Sequence, residues 1–99
     1  MKKWNKIILP LGSVYILSIF YNNTSIELAR ITTDENERWI YTSRYICVED
    51  GDLRSNNLSE AKEELEDLII SYLEQKVTKY EEFIELIQSK EDDENGNRD

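Results

Sequence analysis

Two periodicities divide the chain. Up to Val48 the apolar residues come in short runs rich in β-branched and aromatic side chains, the signature of strands. From Leu58 onward they recur every three or four positions, as on one side of a helix. The run Val14 to Tyr21 (VYILSIFY) is apolar on both faces and suits a central strand. Asn22-Asn23-Thr24 is a turn signal, because Asn tolerates left-handed backbone. Ser25 to Thr33 reads as a second strand, mixing Ile26, Leu28 and Ile31 with Glu27 and Arg30. Asp34 to Glu37 is a polar turn, and Arg38 to Val48 reads as a third strand. Lys6 to Leu9 adds a short edge strand closed by Pro10. The short connections predict an antiparallel meander.

Glu49 to Asn56 is a loop, after which Asn57 and Glu60 have the spacing of a capping box. Leu58, Ala61, Leu65, Leu68, Ile69, Tyr72 and Leu73 follow at helical spacing, and Val77, Tyr80, Ile84 and Ile87 continue the stripe. Thr78 and Glu81 repeat the capping-box spacing, which predicts a break or kink near Lys76-Val77-Thr78. The fold class expected is therefore α+β. A three- to four-stranded antiparallel meander packs on one long or two consecutive C-terminal helices (βββα or βββαα). Residues 1–90 form a single domain, and residues 91–99 (EDDENGNRD after Lys90) read as a disordered acidic tail.

Composition narrows the chemistry. The chain has 99 residues, no His and one Cys, Cys47. Without imidazole there is no His general base, no Ser-His or Cys-His nucleophile pair and no His metal ligand. A single Cys forms no intramolecular disulfide and reads as a buried small hydrophobe in a strand. These absences predict a protein that is not an enzyme and carries no cofactor or metal. Glu49-Asp50-Gly51-Asp52 and Glu91 to Gly96 contain fragments of a calcium loop but lack its ligand spacing. The start, Met1 to Lys6 followed by the apolar stretch Ile7 to Phe20, imitates a signal peptide. It is too short to span a bilayer, which takes about 20 residues, and Pro10, Gly12 and Ser13 divide it as a turn divides strands. The expected location is the cytoplasm, with no membrane contact; the sequons at Asn22, Asn23 and Asn57 matter only in a secreted chain.

Charge is distributed unevenly. The net charge is −9. Residues 1–47 carry six bases (Lys2, Lys3, Lys6, Arg30, Arg38, Arg44) and four acids (Glu27, Asp34, Glu35, Glu37), whereas residues 48–99 carry six bases and seventeen acids. On a helical projection Glu60, Glu63, Glu64, Asp67 and Glu74 lie away from Leu58, Leu65 and Leu68, with Glu81, Glu82 and Glu85 continuing that side. Only Lys62, Lys76 and Lys79 interrupt them, so the usual i,i+4 compensation is mostly missing. A ridge of carboxylates one turn apart resembles the phosphates of a nucleic-acid strand and suits a basic cleft. The same charge disfavours direct binding of nucleic acid through Trp4 and Lys2, or through Arg38, Trp39, Arg44 and Tyr45.

A strongly acidic chain of about a hundred residues with a short meander, a Trp in a late strand (Trp39) and a helix opening Asn57-Leu58-Ser59-Glu60-Ala61-Lys62-Glu63-Glu64 resembles small proteins of phages and mobile elements. Anti-CRISPR proteins are among these. The resemblance spans Val14 to Ile87 in pattern, without a shared motif. It implies an inhibitor that binds a CRISPR effector or another basic nucleic-acid-handling protein in a bacterial cell. The residues expected to make that contact are Glu60, Glu63, Glu64, Asp67 and Glu74, with Glu49, Asp50 and Asp52 in the preceding loop. The alternative is a structural or regulatory protein that homo-oligomerises or docks a partner through its apolar sheet face or helix stripe.

Overall fold

A computed structural model of the protein describes residues 1–89; the tail expected over residues 91–99 lies outside them. Five strands, β1 (Lys2–Leu9), β2 (Gly12–Tyr21), β3 (Thr24–Thr33), β4 (Trp39–Ser43) and β5 (Val48–Asp52), precede one helix, α1 (Leu58–Gln88). The strands form one antiparallel sheet in the order β1-β2-β3-β4-β5. This is the α+β meander-then-helix arrangement that the pattern predicts. The basic and apolar start is a β-hairpin, β1 with β2, joined through Pro10-Leu11. Among the described residues no helix is long and apolar enough to cross a membrane.

The β2–β3 turn follows from its residues. Asn22 and Asn23 sit at φ of 53° and 61°, and two consecutive left-handed residues match the twist of a two-residue hairpin. Asp34 closes the β3–β4 turn by accepting the N–H groups of Asn36 and Arg38 through Oδ1 at 2.8 and 2.9 Å.

The run Arg38 to Val48 is not one strand. Residues 44–47 form a tight turn between β4 and β5, which adds a strand to the sheet. Ile46 folds inward and is buried in that turn, whereas Tyr45 beside it is exposed. Cys47 is exposed with φ of 59°, so it is neither buried nor in a strand, contrary to expectation. The expected loop from Glu49 includes β5, whose Gly51 lies against Tyr41. A Cβ at Gly51 would approach the Tyr41 ring and the Val48 side chain to 2.7 Å.

The core lies between one sheet face and the first half of α1. Leu17, Ala29, Ile31 and Tyr41 of the sheet meet Ala61, Leu65 and Ile69 of the helix, with Ile46 and Leu53 closing the end. Ile31, Ala61 and Leu65 are fully buried. Tyr15 and Trp39 pack edge to face across β3 with centroids 6.3 Å apart. The opposite sheet face is mixed: pairing places Ile16 between Asn5 and Arg30, and Ser18 between Lys3 and Glu27.

α1 is a single helix of 31 residues, about 46 Å long, without a break at Val77. Asn57 caps it, its side chain accepting the Glu60 N–H at 2.9 Å. Thr78 does not act as a second cap. Its hydroxyl donates to the Glu74 carbonyl at 3.1 Å, an i−4 bond compatible with an unbroken helix. Tyr72 is the last helical residue packed on the core. The rest projects as an arm, and the molecule measures 65 × 33 × 21 Å.

Candidate functional site

The fold leaves apolar side chains uncovered at the hairpin ends, among them Ile8, Leu11, Phe20 and Tyr21, and in an aligned row along the arm. Ile70, Leu73, Val77, Tyr80, Ile84 and Ile87 are each between 41 and 81% exposed. Their spacing alternates three and four, a seven-residue repeat that lays them along one line of the helix. At 100° per residue this seam is turned by about 90° from the face formed by Leu58, Ala61, Leu65, Ile69 and Tyr72 that meets the sheet. The single stripe expected from sequence is therefore two stripes that share one helix. One builds the core, and the other faces outward.

The seam begins sharply at Ile70. The two preceding positions of the repeat are Glu63 and Glu66. Glu66 is tied to the sheet: Lys2 Nζ and Trp4 Nε1 donate to its two carboxylate oxygens, each at 2.7 Å. Desolvation raises the Glu66 pKa, but those bonds and the charges of Lys2 and Lys62 outweigh it and hold the group below its ordinary value. Lys62 lies over the Trp4 and Tyr15 rings at 5.4 and 5.6 Å. Where arm and sheet meet, Leu17, Ile19, Leu28, Ile69, Ile70 and Leu73 line an apolar hollow of about 300 Å³. The seam runs outward from this hollow.

The carboxylates expected to form the contact divide into three groups. Glu60, Glu63, Asp67 and Glu74 are exposed on the helix, and among the described residues none of them makes an ion pair. Glu60, Asp67 and Glu74 stand seven residues apart, about 10.5 Å, and Glu81 extends the row beside the seam. Glu64 is engaged within the fold. It accepts the N–H groups of Arg54 and Ser55 at 2.9 and 3.0 Å and the Ser55 hydroxyl at 2.7 Å, stitching the β5–α1 loop to the helix. Burial pushes its pKa up, but these donors and the Arg54 charge prevail and lower it. Glu49, Asp50 and Asp52 lie on the edge strand β5. Asp52 pairs with Ile40, on the sheet face turned away from the helix, and the Asp50 N–H donates to Thr42 Oγ1 at 3.2 Å. The β5 acids and the helix acids thus do not form one surface.

Sequence reasoning missed two features, the structural engagement of Glu66 and the seam from Ile70. A signal for the seam was present, because the repeat 70, 73, 77, 80, 84, 87 keeps strict heptad spacing while the core residues drift away from it. Among the described residues no group of three or more Cys, Asp or Glu side chains is placed to hold a metal ion. No family model matches the sequence, and no curated protein or solved structure matches it. The fold and surface define the class: a five-stranded antiparallel meander that carries a projecting amphipathic helix.

Proposed function

We propose that this protein is a non-enzymatic interaction module of the bacterial cytoplasm, with the sheet as a base and the helical arm as its binding element. The single observation that carries this reading is the continuous exposed seam from Ile70 to Ile87. Six large apolar side chains aligned on a helix cost solubility unless another polypeptide covers them. Of the two apolar surfaces the sequence offered for docking, the arm is favoured, because the outward sheet face is broken up by Arg30, Lys3 and the Arg30–Glu27 ion pair. A photoreactive residue at Val77 in the native host tests this. It should cross-link to a polypeptide, whether another copy or a different protein, and the same group at Thr32 on the outward sheet face should not. A chain labelled at Val77 that yields no protein adduct would overturn the reading.

A second reading is supported by the row Glu60, Asp67, Glu74 and Glu81, with Glu63 beside it. It is an inhibitor that docks these carboxylates on the Lys and Arg of a nucleic-acid-handling protein, a CRISPR effector being the target that the sequence resemblance suggests. Reversal of Glu63, Asp67 and Glu74 to Lys should then abolish inhibition and leave the fold intact. Unchanged inhibition by the triple variant would exclude these positions as the contact.

A further inference from the structure

We infer that the seam is covered by the same seam of a second copy, with the two helices parallel and in register. This rests on the interaction-module reading above and names the partner. In the heptad notation of a two-stranded coil, Ile70, Val77 and Ile84 occupy a, and Leu73, Tyr80 and Ile87 occupy d. The flanking e positions are then Glu74, Glu81 and Gln88, and the g positions include Lys76 and Phe83.

Charge decides both partner and orientation. In a parallel in-register pair each g residue faces the e residue five positions on in the other chain. Lys76 of each copy therefore meets Glu81 of the other, and the symmetry supplies this attraction twice. In the antiparallel pair that keeps all six layers, e faces e. Glu74 then meets Glu81 twice, and Lys76 is left beside Phe83. The arm is thus self-complementary in one orientation and self-repelling in the other. Neither Lys76 nor Glu81 has an ion-pair partner among the described residues, where Lys76 rests over the Tyr72 ring at 5.4 Å.

Geometry permits the pairing. The sheet packs on α1 about 90° around the helix from the seam, so the two-fold axis of a parallel pair carries the two sheets to opposite sides of it. Ile70 and Leu73 lie where the arm leaves the sheet, so the paired seam closes against the hollow at its base. The acids at 63 and 66 end the pairing there, and the seam spans fewer than three heptads. A reversible dimer rather than a permanent one is expected from that length.

Sedimentation equilibrium of the full chain is the test. The mass should rise with concentration from 11.8 kDa toward twice that value. Val77→Glu with Ile84→Glu should hold it at the monomer value, with the near-ultraviolet circular dichroism of the sheet aromatics unchanged. Glu81→Lys separates the orientations without touching an apolar residue. It should weaken a parallel dimer by about tenfold, and Lys76→Glu added to it should restore the affinity. A dimer that tightens with Glu81→Lys would overturn the parallel arrangement. A wild-type chain that stays monomeric throughout would overturn self-pairing. If Val77 then still cross-linked to a different protein, the interaction-module reading would stand without it.

Discussion

Gly51 shows how a single residue is fixed by its surroundings. Its backbone conformation does not call for glycine, but a side chain there would strike the Tyr41 ring and Val48 at 2.7 Å. Gly51→Ala should therefore destabilise the protein by about 1–3 kcal/mol, measured by urea unfolding, through overpacking at the buried Tyr41. Glu64 and Glu66 make a second residue-scale prediction. Both hold their pKa below the ordinary value of 4.5, so each binds fewer protons in the folded chain than in the unfolded one. Their contribution is fully present above about pH 4.5 and is lost as the pH falls through the lowered folded values. Glu64→Gln should flatten the acid limb of stability below about pH 4.5. An acid limb identical to the wild type would show that Glu64 does not carry it. Neither role was legible in sequence, where Glu64 and Glu66 look like any other acids of the helix. Only the approach of the Arg54-Ser55 loop and of β1 distinguishes them.

The elements divide into those that local chemistry dictates and those that tertiary contacts override. The Asn22-Asn23 hairpin, the Asn57 cap and the change from strand to helical period are readable directly. The β4–β5 turn is not. Residues 44–47 contain no Gly, Pro or Asn, and the turn is held by burying Ile46 and placing Cys47 in left-handed backbone. The helix break expected near Thr78 fails because α1 runs on through it, so the N–H groups that follow stay bonded within the helix and the hydroxyl donates to the Glu74 carbonyl instead of capping. The site was legible in part. Glu60, Glu63, Asp67 and Glu74 stand on the exposed helix side as read, whereas two interleaved apolar stripes looked like one. The halves of α1 should accordingly differ in energy. Leu65→Ala, in the core, should cost about 2–5 kcal/mol, and Ile84→Ala in dilute solution less than about 0.5 kcal/mol. Equal costs by urea unfolding would mean that the arm is packed rather than projecting.

For the whole molecule, net charge and apolar seam act in opposite directions. A net charge of −9 on each copy opposes self-association, and salt screens that repulsion. The dimer inferred here should therefore hold or tighten as ionic strength rises. Docking of the same acids on a basic protein should weaken with salt, because its attraction is long-ranged. The salt trend thus distinguishes the two uses of the helix without a variant. The most direct test of the central account is amide hydrogen exchange of the full chain, followed against protein concentration. The amides of residues 77–87 should exchange fast in dilute solution and become protected as concentration rises, while those of β2 and β3 stay unchanged. Exchange over residues 77–87 that is independent of concentration would contradict it.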